Sequence, residues 1–228
     1  TSFIKKSKLM PKINIHEEIA SAIGRRDEVP NIELAIKIIA NNDTDAVRDL
    51  VELAKGKNKN ASSDCIKTLY EIGERKPALI ADYYAFFLEL LDHKNNRIVW
   101  GAMMALDYIS SVDPKNVFTY LNKILSIADQ GSVITKDHAV GILINFCKVP
   151  EYLNTALPIL LEMLKTAAGN QLPKYAENTL PVVSSQFNEQ FITILHNRVH
   201  DAETESKRKR IEKVIAKASK AKHLIVRN

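Results

Sequence analysis

A repeat of 37 residues limits how this chain can fold more than any other feature of its sequence. One column of the repeat contains small residues, and the columns three, four and seven residues later are mostly apolar. The four columns are Cys65, Ala102, Ala139, Ala176; Thr68, Ala105, Ile142, Thr179; Leu69, Leu106, Leu143, Leu180; and Ile72, Ile109, Phe146, Val183. These offsets place all four columns on the inner face of an α-helix. The repeat therefore predicts helices that stack closely side by side.

A second helix in each repeat follows the same step of 37 residues. Its mostly apolar columns are Ala46, Tyr83, Tyr120, Leu157; Leu50, Phe87, Ile124, Leu161; and Leu53, Leu90, Ile127, Leu164. Turn and capping residues such as Asn58, Asn95 and Gly131 separate the apolar runs. We predict first helices at 43–55, 79–92, 114–129, 151–166 and 188–199, second helices at 61–75, 96–112, 133–148, 171–185 and 206–220, and an opening pair at 14–24 and 31–41.

The predicted helices make the chain an all-α solenoid of about six helix pairs. We expect one domain over residues 1–228, in which 1–42 form an irregular N-terminal cap pair and 43–185 form the regular repeats. Residues 186–228 form a divergent C-terminal pair with a basic tail. Irregular ends are typical of solenoids, because terminal units must cover the core with a more polar outer face.

The second-helix pattern resembles a known repeat family. The segment Ile98 to Ile109 is similar to the second helix of a HEAT repeat, and Ala61 to Gly73 is similar to another. The likeness covers residues 43–185 well and the ends loosely. HEAT repeats usually carry an arginine just inside this helix, where this chain has Ser62 and Val99, so the related armadillo class stays open. The resemblance implies a right-handed α-α superhelix whose second helices line a concave face, and a role as scaffold or adaptor.

Composition favours a soluble, non-enzymatic protein. The chain is 46% apolar and 26% charged, which is ordinary for a globular protein. Only 7 glycines are present, so few positions suit the glycine-rich loops on which many catalytic sites depend. Two cysteines without a Cys-x-x-Cys motif fit a reducing compartment. No apolar run is long enough to span a membrane. We expect a cytoplasmic location, with a nuclear location as the alternative.

The residues that face away from the predicted core are the candidate binding surface. They lie on the second helices and include an aromatic and apolar centre. The candidate partner-binding residues are Ser63, Lys67, Tyr70, Trp100, Met104, Asp107, Asp137, Lys148, Lys174 and Asn178. Acidic and basic side chains balance on this stripe, which predicts a protein or peptide partner rather than a nucleic-acid backbone. Packing of Trp100 and Met104 against neighbouring helices is the open alternative.

The C-terminal segment carries the second candidate site. Residues 201–228 hold nine basic and four acidic side chains, which equals the whole formal net charge of +5. The candidate nucleic-acid-binding residues are Lys207, Arg208, Lys209, Arg210 and Lys213. The alternative interpretation is that these basic side chains are only the solvent-exposed face of the last helix. The alternative function is nucleic-acid binding or DNA repair, because some alkylpurine DNA glycosylases are HEAT-like proteins of similar length.

Catalytic chemistry finds little support in the sequence. His196 and His200 share a helical face but lie at a helix end, and we predict no metal site. Cys65 belongs to the small-residue core column, whereas Cys147 beside Lys148 is the better candidate for a thiol of lowered pKa. We predict no catalytic residues, no cofactor and no membrane partner.

Overall fold

The protein is all-helical, as the repeat predicts. The computed structural model describes residues 13–225, and side chains through residue 220; within that range no strand is present. The α-helices are α1 (Ile15–Glu18), α2 (Val29–Asn41), α3 (Thr44–Ala54), α4 (Lys59–Arg75), α5 (Tyr84–Leu90), α6 (Asn96–Ser110), α7 (Pro114–Phe118), α8 (Leu121–Gln130), α9 (Val133–Cys147), α10 (Pro150–Thr166), α11 (Leu172–Thr179), α12 (Asn188–Arg198) and α13 (Glu205–Ile225). Short 3-10 segments occur at Pro77–Leu79, Ala81–Tyr83, Leu180–Val182, Ser185–Phe187 and Val199–Asp201.

The helices form two compact units, Thr1–Ile127 and Ala128–Asn228. In the first unit, α4 packs against α2, α3 and α6, and α5 packs against α6. In the second unit, α10 packs against α9 and α12, and α13 packs against α11 and α12. Each unit therefore has a core built only from helix–helix contacts.

The inner faces predicted for the second helices form these cores. Every residue of the four second-helix columns is buried except Leu180 and Val183. The three remaining leucines of their column, Leu69, Leu106 and Leu143, have no exposed surface at all. The small-residue column is equally buried, which agrees with close packing between helices.

The predicted helix at 171–185 is wrong in its second half. Helix α11 ends at Thr179 and continues as the 3-10 segment Leu180–Val182. Pro181 explains the end, because its ring would collide with the preceding helical turn and it has no N–H to donate. Leu180 and Val183 consequently leave the buried face and are half-exposed.

Two of the predicted first helices are broken rather than continuous. Two 3-10 segments precede α5, which begins only at Tyr84. The prediction at 114–129 divides into α7 and α8 around Thr119, whose hydroxyl donates to the carbonyl of Asn116, a local bond that competes with helix continuation. As a result Tyr120 is 42% exposed and is not a core residue.

The opening helix is much shorter than the predicted 14–24. Helix α1 ends at Glu18, because the next backbone amides bond to side chains of other helices. The amide of Ala20 donates to Asn31 Oδ1 over 2.9 Å, and the amide of Ser21 donates to Asp64 Oδ2 over 2.8 Å. Asn31 in turn donates to Asp64 Oδ1 over 2.8 Å, so this buried network fixes the start of α2 on α4.

Helices α4 and α6 approach each other closely through one glycine on each helix. A Cβ added at Gly73 of α4 would lie 2.7 Å from Ile80 Cδ1 and 3.2 Å from Tyr108 Cδ2 on α6. A Cβ added at Gly101 of α6 would overlap with Ile66 Cγ2 on α4. Neither position has room for a side chain, and the missing side chains let the two backbones come together.

We expect Gly101→Ala to lower the free energy of unfolding by about 1–3 kcal/mol, because the new methyl group overpacks the contact with Ile66. At an exposed helical position the same change stabilises by about 1 kcal/mol. Urea unfolding of the two proteins measures the difference. The double variant Ile66→Leu/Gly101→Ala should recover part of the loss, since leucine has no methyl group on Cβ. A more stable Gly101→Ala protein would contradict this account.

Candidate functional site

Five of the predicted binding residues lie together on neighbouring helices of the first unit. Lys67 and Tyr70 belong to α4, and Trp100, Met104 and Asp107 belong to α6. Each is partly exposed, as expected for the face opposite the buried columns. We refer to these five residues as the α4–α6 surface. Ser63, a predicted site residue one turn before Lys67, is also partly exposed.

Aromatic and apolar side chains form the centre of this surface. The ring of Tyr70 lies over Gly101, where an added Cβ would be 3.3 Å from Tyr70 Cδ1. Trp100 and Met104 are one helical turn apart and therefore neighbours on α6. Tyr108, one turn further on, is half-buried against Gly73. Sequence analysis missed Tyr108, although its spacing from Met104 could have indicated it.

Lys67 of the surface belongs to a network of paired charged groups. Lys67 Nζ lies 2.8 Å from Glu28 Oε2 and 2.7 Å from Glu71 Oε1. The same ammonium group lies 4.7 Å from the centre of the Tyr70 ring, which is a cation–π distance. Arg75 Nη1 completes the network 2.5 Å from Glu71 Oε2. Glu71 and Arg75 were not predicted as site residues, because at 100° per residue both lie outside the outward-facing stripe of α4. The structure shows that Glu71 is buried.

The pKa values in this network follow from burial and pairing together. Burial alone would lower the pKa of Lys67, but the hydrogen bonds to Glu28 and Glu71 outweigh it and raise that pKa. Burial would raise the pKa of Glu71, but Lys67 and Arg75 outweigh it and lower that pKa. Burial, with Glu74 and Asp107 nearby, raises the pKa of Tyr108 to about 12. Lys67 and Glu71 are therefore charged near neutral pH, whereas the Tyr108 phenol is neutral.

The predicted residues of the second unit pair in a similar way. Lys174 Nζ on α11 lies 2.8 Å from Asp137 Oδ2 on α9. The Tyr175 hydroxyl donates to Asp137 Oδ1 over 2.6 Å. Lys148 donates to Asn145 Oδ1 over 2.8 Å, and Asn178 lies exposed on α11. Asp137 and Lys174 occupy equivalent positions of successive repeats, and in the structure their charges compensate each other.

Most of the predicted nucleic-acid-binding residues also have partners inside the second unit. Arg210 binds Glu177 through two hydrogen bonds of 2.7 and 2.6 Å. Lys207 pairs with Glu203, Lys209 pairs with Glu205, and Arg208 donates to the carbonyl of Ala202. Lys213 is exposed on α13. The basic run is therefore largely engaged with neighbouring groups rather than presented as a row of unpaired cations.

The cysteines are both buried, and neither has the environment of a reactive thiol. Burial raises the pKa of Cys65 and that of Cys147 to about 12. The prediction of a lowered pKa for Cys147 is wrong, because burial disfavours the charged thiolate and the Lys148 ammonium is bound to Asn145 instead.

The part of the chain that the structure describes contains neither a metal-ligand cluster nor a membrane-spanning helix. Within that part, no three His, Cys, Asp or Glu side chains gather as metal ligands would. His196 lies in α12, but this helix ends at Arg198 and His200 follows in a 3-10 segment. Among the helices of residues 13–225, none combines the length and apolarity that crossing a bilayer requires.

Comparison with known proteins supports the fold class alone. No family model matches the sequence, and no curated protein matches it. Two similar solved structures are engineered proteins from the Northeast Structural Genomics Consortium. The first has a TM-score of 0.60 and 15% identity, over 92% of this chain and 98% of that chain. The second has a TM-score of 0.56 and 18% identity, over 89% and 99%. At these identities the likeness shows a compact all-helical fold.

The Lys67–Glu71–Arg75 network gives stability a defined pH dependence. Because the pKa of Glu71 is lowered by folding, its stabilisation is present above the unfolded pKa of about 4.3 and is lost as the pH falls through the folded pKa. Glu71→Gln should lower the free energy of unfolding by about 1–2 kcal/mol at about pH 7. This difference should shrink as the pH falls below about 4.3 and disappear once Glu71 is protonated in the folded protein as well. Denaturant unfolding at several pH values measures it.

Glu74→Gln is the matched control, because Glu74 also pairs with Arg75 but its side chain is 52% exposed. We expect a change below about 0.5 kcal/mol for this variant at every pH. Equal effects of the two substitutions would contradict the role assigned to Glu71.

Proposed function

We propose that this protein is a non-enzymatic helical-repeat scaffold that binds a protein or peptide partner through the α4–α6 surface. The observation that carries the proposal is the partly exposed apolar group of Tyr70, Trp100 and Met104. Partly exposed Trp and Tyr residues dominate the binding energy of many protein interfaces. Lys67, Glu28, Glu71 and Arg75 beside them are paired with each other, so the apolar side chains are the main groups left to bind a partner.

The proposal includes a HEAT or armadillo repeat architecture, in which second helices line the concave side of a right-handed superhelix. Packing within each unit supports it: α4 is beside α6 in the first unit, and α11 is beside α9 and α13 in the second. The N-cap residues Asn58, Asn95 and Ser132 recur at the 37-residue step. The Asp137–Lys174 ion pair joins residues separated by the same step.

Nucleic-acid binding by the C-terminal segment has less support. Four of its five candidate residues contact acidic side chains or a backbone carbonyl of the second unit. A phosphate backbone would have to displace those partners before it gained an ion pair. We therefore propose a protein partner and, from the buried reduced cysteines, a cytoplasmic location.

We expect a peptide library displayed on phage to yield sequences that bind the purified chain and carry large apolar side chains. Binding of a selected peptide, measured by fluorescence anisotropy, should weaken by at least about tenfold in Trp100→Ala, because truncation removes the central contact. Ile36→Ala is the matched control, since Ile36 is 50% exposed on α2, outside the surface. Circular dichroism checks that each variant is folded, and Met104→Ala provides a second test.

Equal binding by the wild-type protein and both surface variants would overturn the proposal. The proposal would also be overturned if the library yielded no binding peptide. The same holds if the protein bound duplex or single-stranded DNA oligonucleotides instead of peptides.

A further inference from the structure

A basic cleft in the first unit lies outside the α4–α6 surface. It is formed by the loop between α3 and α4 and the loop between α5 and α6, and has a volume of about 800 Å³. Four lysines line it, namely Lys55, Lys57, Lys59 and Lys94. Volumes of this size are typical of sites for small molecules.

The charge of the cleft is strongly one-sided. Its single acidic lining residue, Asp92, is already bound to Lys123 over 2.6 Å. Lys55 pairs with Glu52 at 2.7 Å. Within residues 13–220, Lys57, Lys59 and Lys94 have no ion-pair or hydrogen-bond partner for their ammonium groups. Three unpaired cations around one cleft leave a positive potential that an anion would neutralise.

Two further polar groups of the cleft, His93 and Asn95, offer donors to a ligand because their acceptor atoms are already used. His93 Nδ1 accepts a hydrogen bond from the amide of Asn95 over 3.0 Å, so the neutral imidazole carries its proton on Nε2 as a donor. The side-chain oxygen of Asn95 caps α6, so its amide nitrogen is the group left for a ligand. The hydroxyl of Ser62 donates its single proton to the carbonyl of Gly56, so it offers no donor to a ligand. A ligand rich in acceptors therefore fits these walls.

The floor of the cleft is apolar. Ala54, Ile66, Leu90 and Ile98 line its base. Lysine side chains place a charged end at the rim while their methylene stems extend the apolar wall. A ligand that combines phosphate groups with a compact organic body would match both the rim and the floor.

We propose that this cleft binds a small molecule carrying two or more phosphate groups, with Lys57, Lys59 and Lys94 as the phosphate ligands. Lys57 and Lys94 occupy equivalent positions of the 37-residue repeat, so two successive repeats supply the same cation to one cleft. This inference is independent of the proposed protein-binding function, because it uses none of the residues of the α4–α6 surface.

Isothermal titration calorimetry of the full chain with ATP, inorganic tripolyphosphate and inositol hexakisphosphate tests the proposal at about 0.15 M salt. At least one probe should bind with one site per chain. Tighter binding of ATP than of tripolyphosphate identifies an organic phosphate, and equal binding identifies free polyphosphate.

Lys57→Gln/Lys94→Gln should weaken binding by at least about tenfold. Ser62→Tyr, which fills the cleft and keeps every lysine, should weaken it as well.

Two matched controls remove the same charge elsewhere. Lys115→Gln/Lys136→Gln removes two exposed lysines outside the cleft, and Lys213→Gln/Lys217→Gln removes two from α13. Each should change the affinity by less than about twofold. The proposal is overturned if no probe binds at up to about 1 mM, if either control weakens binding as much as the cleft variant, or if Ser62→Tyr binds normally while folded.

Discussion

The close contact between α4 and α6 determines much of the first unit. Gly73 and Gly101 lie on opposite helices, and each faces a residue that leaves no room for a Cβ. Because the two backbones approach there, the rings of Tyr70 and Tyr108 lie across the glycines instead of between the helices. Trp100 and Met104 consequently stay partly exposed. The same contact thus stabilises the core and creates the apolar surface above it.

The fold could be predicted from the sequence where one regular helix carries the pattern. The columns through Leu69, Leu106 and Leu143 are buried because a continuous helix keeps the spacing of three and four residues on one face. The pattern fails after Thr179, where Pro181 ends the helix, and at Tyr120, where the chain turns between two short helices. Periodicity records which residues are apolar but not where the backbone stops being helical.

The candidate surface could be predicted only in part. Helical geometry placed Lys67, Tyr70, Trp100 and Met104 on the exposed side correctly, since that inference needs only the direction of each side chain. The ion pairs could not be predicted, because Glu28 reaches Lys67 from a separate segment whose path depends on tertiary contacts. The basic cleft was missed for a related reason: its lysines lie in the loops or at the helix ends beside them, where the apolar pattern gives no guidance.

The two carboxylates that hold Lys67 affect how the surface can discriminate among partners. Glu71 is buried, but the side chain of Glu28 is 68% exposed and can be replaced by another acidic group. An incoming carboxylate would therefore exchange one ion pair for another, with little gain in electrostatic energy. Long-range attraction would not speed its arrival either, because Glu28, Glu71 and Glu74 outnumber Lys67 and Arg75 there. Selectivity for the proposed partner would then rest on shape and apolar contact rather than on a new ion pair.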